Sequence, residues 1–341
     1  MRLLMDPEHL RWIAKTHPDL DLSLDRLSLP SFVAPVAVAE ALEPGTWVRI
    51  LAQGALRTHR ALAAPKALFL GTPFEPYDQS EFLWTVEEPR EVRNQAVRVA
   101  RSMRLELCVL PNVSPSHPRM VDWLDAGFRP LPSFPDTCID VSVPAFDDHL
   151  ARLPAGDRSG IRRNIRRFER AGHRLRRIMD SRGLGDILYR AYRPFFDRAR
   201  VHWLAHSRSY FEELAGVDRR VRLFGAYAED QLVGFVVNFL DKNRMQAGRI
   251  GVLPEWHKKD RIYFRLLYAA IEDAIVQSTH ELSLEPTGYR TKRHLGARKV
   301  PLVNLVVGAG RTWSNLLRFA EPVGQRLLRH LTDPHTLERR F

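Results

Sequence analysis

Within the stretch EPTGYRTK, a carboxylate, a phenol and an amine recur at spacings of four and three residues: Glu285, Tyr289 and Lys292. Glu285 closes an apolar, strand-like run, ELSLEP, and strand ends in α/β folds face the ligand crevice, so it is a candidate general base. Tyr289 is a candidate proton donor to a leaving group, and Lys292 a candidate holder of a phosphate or carboxylate. Each alone is equally an ordinary loop residue; the three together form the signal. Upstream, GVLPEWHKKDRIYFRLL places His257, Lys258, Lys259 and Arg261 at the start of an apolar-periodic helix. A helix N-terminus with three fixed cations beside it suits an anion. The other reading is a basic surface loop. Trp256 and Tyr263 border the cluster and either stack on a base or seal the helix onto a sheet, the second being the commoner use.

The elements that must position these residues are legible around them. RVRLFGAYA reads as a strand, broken at Glu229 and Asp230 before a nearly continuous apolar run, QLVGFVVNFL. A polar turn, DKNR, leads to a third run, MQAGRIGVLP, and then to a helix predicted over 262–277. ELSLEP returns as a short strand. Three antiparallel strands, a helix and a parallel return strand make one α/β unit over about 221–297, with its ligand loop between the third strand and the helix.

Before this unit lies the most biased segment of the chain. Between residues 152 and 182 there are eleven arginines and one histidine against three acids. Asp157 as N-cap and Gly172 beyond the end predict a helix over 158–171, with Ile161, Ile165 and Phe168 as a narrow buried stripe. Arg158, Arg162, Arg163, Arg166, Arg167 and Arg170 cover most of the rest of its circumference, either facing phosphates or simply solvated. The scarcity of acids argues against a helix laced by its own ion pairs. ILYRAYRPFFDRARVHWLA follows as helix, with Pro194 expected to kink or break it. Its aromatics Tyr189, Tyr192, Phe195, Phe196 and Trp203 read as core.

The first part of the chain predicts a second α/β unit over about 45–145. Its strands are TWVRILAQG, KALFLGTPF, LELCVLPNV, FRPLPSF and TCIDVSV. Its helices span 88–103 and PRMVDWLDAG, the latter with Pro118 early and Gly127 at its end. GTPFEPYDQSEF is a plausible cleft wall. After the central unit, PLVNLVVG reads as one more strand, and 313–331 as a terminal basic helix. The single domain boundary is placed at 145/146, giving lobes 1–145 and 146–341.

Composition narrows the function. The 341 residues are 45% hydrophobic and 27% charged, enough for a sizeable core, and carry a formal charge of +12. That excess implies an anionic partner (nucleic acid, an anionic lipid surface or a phosphate-rich small molecule) or merely a bias toward arginine. Cys108 and Cys138 sit in apolar runs, spaced for neither a disulfide framework nor zinc, and read as buried thiols in a reducing compartment. No metal site is indicated. The N-terminal MRLLMDPEHL lacks the apolar core of a signal peptide and no run is long enough to cross a membrane, so a cytoplasmic protein is expected. GxxxxGK[ST], GxSxG, HExxH and the kinase motif set are all missing, which removes their chemistries from consideration.

Three pieces carry a resemblance. AGFRPLPSFPDTCIDVS is similar to a "GF-P" turn followed by a strand with a Thr and an Asp. Arg158, Ile161, Arg162 and Arg163 resemble the basic helix that opens a second lobe. YFRLLYAAIEDAI with GYRTKRHLGA is similar to a helix followed by Y-x-x-K-x-x-x-G at Tyr289, Lys292 and Gly296. Together, over about 45–310, they resemble the Gcn5-related N-acetyltransferase (GNAT) superfamily in its two-lobed, Fem-like branch of aminoacyl and acyl transferases. The resemblance implies an α/β fold of two GNAT-like lobes, each a mixed twisted sheet flanked by helices. It implies attack of an amine on an activated acyl carbonyl with no covalent enzyme intermediate. Glu285 would be the base, Tyr289 the proton donor, and backbone N–H groups near 250–252 the oxyanion donors. Lys292 and the Arg158–Arg167 face, with the 257–261 cluster, would hold phosphates. No resident cofactor is implied. The loop of His257, Lys258, Lys259, Asp260 and Arg261 lacks the glycines that let a backbone wrap a pyrophosphate, which favours aminoacyl-tRNA over acyl-CoA as donor. The acceptor would be an amine of a small molecule or peptide. Two other readings stand beside this one: an acyl-CoA-dependent N-acyltransferase, and a non-catalytic RNA- or membrane-surface-binding protein of the same fold.

Overall fold

A computed structural model describes residues 6–24, 26–27, 29–36, 65–73, 78–199 and 204–318. The expected strand TWVRILAQG, part of the loop GTPFEPYDQSEF, Trp203 and most of the terminal helix lie outside the described residues; 311–318 is helical.

The chain opens with α1 (Pro7–Thr16), capped by Asp6, whose carboxylate accepts from the Glu8 N–H at 3.0 Å. The short β1 (Leu22–Ser23), β2 (Ser31–Pro35) and β3 (Lys66–Leu70) follow. Next come α2 (Glu81–Thr85) and α3 (Pro89–Ser102), the latter with Val92, Ala96 and Ala100 buried at helical spacing. Then come β4 (Leu107–Val113), buried at every position, α4 (Met120–Asp125), β5 (Arg129–Pro132) and β6 (Asp136–Asp140). After α5 (Phe146–Ala151) the basic helix forms α6 (Ala155–Arg170), leading into β7 (Arg174–Ile178). Two helices, α7 (Gly185–Arg198) and α8 (Arg208–Glu213), precede the hairpins of β8 (Val221–Ala228), β9 (Gln231–Asp241) and β10 (Arg244–Val252). The described elements end with α9 (Ile262–Val276), β11 (Glu281–Ser283), α10 (Tyr289–Arg293), β12 (Arg298–Val300) and β13 (Val303–Gly308).

These elements build two mixed sheets flanked by helices, ordered β1-β2-β3-β4-β13-β5 and β12-β6-β11-β10-β9-β8-β7. By contacts the chain divides into a seven-stranded unit, residues 1–17 and 137–298, and a six-stranded unit, 18–136 and 299–341. A single expected boundary at 145/146 is thus replaced by three crossings. Two expectations change with it. TCIDVSV does not close the first lobe: its strand β6 pairs antiparallel with β11, Cys138 opposite Ser283. PLVNLVVG does not extend the central unit: β13 lies between β4 and β5, antiparallel to both. Sequence adjacency suggested otherwise, but the buried edges of β4 and β5 are complete only when β13 fills them.

The central unit forms as its sequence predicts. β8, β9 and β10 are antiparallel neighbours and β11 returns parallel to β10. The apolar run of β9 is buried on both faces, as a strand covered on each side requires. α9 buries most of its circumference, including Leu266, Ile271 and Ala274, against this sheet. One polar residue goes with them. Asp273, 4% exposed, accepts two 2.8 Å hydrogen bonds from Nε of Arg222 on β8 and one at 2.9 Å from Nδ2 of Asn238 on β9.

Three local expectations need correction. α6 starts at Ala155, with Pro154 in the capping position and no side-chain cap. Asp157 is not the cap, because its carboxylate instead meets Nδ1 of His294 at 2.7 Å. Pro194 neither ends nor splits α7, which continues to Arg198; a proline close to a helix end disrupts few ladder bonds. α4 begins at Met120, with Pro118 still in the preceding turn. Gly127 and Gly172 do follow their helices in the left-handed region, at φ +101° and +76°.

The packing of α7 on the sheet yields one stability prediction. A Cβ on Gly251 would lie 2.8 Å from the carbonyl carbon of Ala191 and 2.5 Å from the Phe235 ring. Backbone cannot yield as a flexible side chain does, so Gly251→Ala is expected to cost about 1–3 kcal/mol in denaturant unfolding. Unchanged stability would show that α7 is not held that close.

Candidate functional site

The site forms where β10 and β11 part. Their parallel register covers only Arg244 opposite Glu281 to Gln246 opposite Ser283, whereas β10 stays paired with β9 as far as Val252. β11 stops because Glu285 turns to φ +63° and Pro286 has no N–H to continue a ladder. On the other strand the register with β9 shifts between Ala247 and Arg249, a bulge at Gly248 that re-aims the side chains beyond it. Beyond the last β10–β11 pair, alternate peptide groups of β10 face the opened edge, the arrangement expected for oxyanion donors near 250–252.

Side chains converge on this opening. Nη1 of Arg249 donates to both Glu285 oxygens, at 2.9 and 3.1 Å, and Nε2 of Gln246 donates to Oε1 at 2.7 Å. Nε of Arg249 donates at 2.6 Å to Nε2 of His206, and Nη1 also reaches the Gly248 carbonyl. Burial opposes the charge of Arg249, yet Glu285 and nearby tyrosines hold its pKa above the ordinary arginine value. Burial, and then the charge of Arg249, pushes His206 far below the usual imidazole range. A neutral His206 accepting from Arg249 fits both facts. The His206 ring stacks on Tyr210 at 4.0 Å, and its backbone N–H donates to the Tyr192 hydroxyl at 3.3 Å. His17, behind it, accepts the Ser207 N–H at Nε2 and so donates from Nδ1 to the Ile13 carbonyl.

The three residues of EPTGYRTK are brought together. Glu285 is ion-paired with Arg249, whose side chain is only 14% exposed, and so is placed to anchor that cation. Lys292, 7% exposed, donates to the carbonyls of Leu284, Glu285 and Pro286 at 2.6, 2.8 and 3.2 Å. An ammonium has three N–H donors, so Lys292 ties down the loop that carries Glu285 and has no donor left for a phosphate. Tyr289, half-buried, opens α10 beside them.

The loop before α9 is basic and exposed at Lys258, Lys259 and Arg261. His257 is neutral instead: burial, then Arg198 and Lys258, lower its pKa. Asp260 and Arg261 adopt left-handed φ values of +45° and +61°, a conformation glycine takes without strain. Asp260 is held by Nε2 of His173 at 3.1 Å and by Nε of Arg167 at 3.6 Å. Lys259 lies over the Trp256 ring at 4.8 Å, and Tyr263 stacks on Phe195 at 5.8 Å. Both aromatics pack against the core and seal the helix onto the sheet, as the commoner reading had it. Along α6, Arg162 pairs with Asp147 at 3.0 Å and Arg158 reaches the Ala151 carbonyl at 3.4 Å. Arg163 and Arg166 are exposed and have no partner among the described residues.

The residues missed from sequence are Gln246, Arg249 and His206. The signal was present in MQAGRIGVLP: a glycine inside a strand marks a bulge, and the arginine after it is the one charge in a buried run.

Comparison with known proteins bears on this geometry. The family model of the acetyltransferase (GNAT) domain matches residues 155–293, from the basic helix through β11 to α10. Residues 155–293 are a GNAT-type acetyltransferase domain. No curated protein matches the chain. Among solved structures, FemX resembles it at 10% identity over 96% of this chain and 94% of its own, with a TM-score of 0.54. L-PGS from Bacillus licheniformis does so at 11% over 94% and 97%, with a TM-score of 0.52. A conserved protein of unknown function from Bacteroides thetaiotaomicron follows at 11% over 88% and 89%, with 0.51. At such identities the likeness is one of fold. The fold is that of a two-lobed, Fem-like GNAT protein, with the parted strands inside the matched GNAT domain. Among the described residues no helix is long and apolar enough to cross a membrane.

Two buried histidines of the N-terminal segment give a pH prediction. Burial brings both His9 and His17 down to about 4. Each is neutral in the folded chain, while the unfolded chain binds the proton from about 6.5 downward. Their stabilisation is therefore complete above about pH 6.5 and is lost as pH falls through about 4, up to roughly 3 kcal/mol each. Unfolding followed by fluorescence should show a falling midpoint across that window, flattened by His17→Gln. A midpoint constant from about pH 7 to 4.5 would contradict it.

Proposed function

We propose that the chain is an acyltransferase that forms an amide by moving an aminoacyl group, supplied by aminoacyl-tRNA, onto an amine of a small molecule or peptide. The observation that carries this reading is the opened β10–β11 edge inside the GNAT domain, with Gln246 buried and Arg249 half-buried beside it. The acceptor nitrogen attacks the ester carbonyl, and the carbonyl electrons move onto oxygen. N–H groups of the opened edge, with the Arg249 cation behind them, stabilise that oxyanion. On collapse the C–O bond to the ribose breaks. Tyr289 gives its proton to the departing oxygen and recovers one from the new C–N centre, so the exchange balances without a separate base. Glu285 keeps Arg249 in place, and Lys292 keeps Glu285 in place. The net charge of +12 and the exposed, unpaired Arg163 and Arg166 support an RNA-borne donor.

The matched model describes an acetyltransferase, which favours an acyl-CoA donor as the second reading. One experiment separates the two. RNA that stays bound through purification at about 0.3 M salt is sequenced, because charge-only contacts are largely screened there. Enrichment of one tRNA family is expected and names the amino acid. Random fragments, or none, would overturn the RNA-borne donor and make acyl-CoA the next substrate to assay.

A further inference from the structure

A cavity of about 340 Å³ lies between α6, α9 and α10, and none of its lining residues belongs to the opened strand edge or to the loop before α9. We propose that it binds a nucleoside monophosphate group, independently of the donor named above.

Its walls separate by chemistry. Phe264 and Tyr268, one turn apart on α9, form a flat apolar side, while Arg163 from α6 and Arg290 from α10 stand on the rim. Both arginines are exposed and have no acidic or hydrogen-bonding partner among the described residues. Beside them on α6, Arg158, Arg162 and Arg167 are engaged with other groups, whereas these two guanidiniums are open to a ligand. The one acid in the lining, Asp157, is already taken by His294 at 2.7 Å, so it does not repel an anion unopposed. Asn164 donates to the Tyr268 hydroxyl at 2.9 Å, which fixes both at the wall and leaves the amide oxygen to accept from a sugar or base. Two guanidiniums suit a phosphate monoester, and an aromatic wall suits a base.

The shape of the cavity is written into α6. Gly156 and Gly160, one turn apart, both line it, and a Cβ on either would meet nothing within 4 Å. Glycines weaken a helix, so these two leave open space where almost any other residue would have filled it. The volume is at the small end of ligand sites, enough for one nucleotide.

The full chain is titrated with AMP by calorimetry, with inorganic phosphate and a 5′-phosphorylated tetraribonucleotide as parallel probes. Saturable AMP binding is expected, weakened at least about tenfold by Arg163→Glu with Arg290→Glu and by Gly160→Leu, and less than about threefold by Arg166→Glu. Tighter binding of the tetranucleotide, lost in the same variants, would support the proposal and place the nucleotide at an RNA end. AMP no tighter than inorganic phosphate, no saturation at millimolar AMP, or an equal loss in Arg166→Glu would overturn it. Thermal melts of each variant show whether a loss reflects unfolding; the arginine pair, exposed on the surface, decides the matter if Gly160→Leu is unstable.

Discussion

Asp273→Ala is expected to destabilise the seven-stranded unit by about 3–5 kcal/mol, a large part of what a domain of ordinary stability possesses. The carboxylate is only 2% exposed and holds Arg222, itself 11% exposed, together with Asn238. Removing it leaves a guanidinium buried without its counter-charge between α9 and the sheet, and that desolvation dominates the cost. Replacing both partners tests the point. Asp273→Leu with Arg222→Met should recover most of the loss, because an apolar pair of similar volume carries no such penalty. Urea unfolding of the three proteins gives the comparison. A single-variant cost below about 1 kcal/mol would mean that water or a rearranged side chain already reaches Arg222.

The second large effect concerns activity. Arg249→Met is expected to lower the rate of acyl transfer by about 10²–10³-fold, the usual loss when one oxyanion-stabilising group is removed. The change should fall on kcat more than on KM, since the charge develops after the substrate is bound. Glu285→Gln separates anchoring from base catalysis. If Glu285 positions Arg249, the glutamine variant loses activity roughly uniformly with pH, and the acid limb of the profile stays where it was. A limb that disappears with the carboxylate would restore Glu285 as the base and refute the anchoring role. Wild-type rates in Arg249→Met would remove the opened edge from the mechanism altogether.

Much of this was legible in the sequence because it is local. The alternation and run lengths of 221–283 specify strands, turns and α9 through nearest-neighbour patterning, and the structure follows them. EPTGYRTK was visible as a cluster because its members lie within one loop and one helical turn. The roles within it were not. That Lys292 points inward at three carbonyls depends on the left-handed turns at Glu285 and Thr287, neither of which is a glycine. Arg249 was hidden for the opposite reason: its partners Glu285 and His206 come from two segments distant from it in sequence, and only the bulge at Gly248 turns it toward them. The sites of β6 and β13 were misjudged because their pairing is non-local, and no pattern within PLVNLVVG says which open edge it will fill.

The placement of β13 bears on how the chain is made. A ribosome delivers β4 and β5 early, yet the strand that joins them is synthesised only after the whole GNAT domain has emerged. Until residue 308 is out, one edge of β4 and the short β5 wait without the strand that joins them while the later-made sheet can already close. The first-synthesised lobe is therefore the last to be finished. In that interval the nascent chain carries its greatest exposure to mispairing, and the polypeptide behind the GNAT domain acts as the thread that ends it.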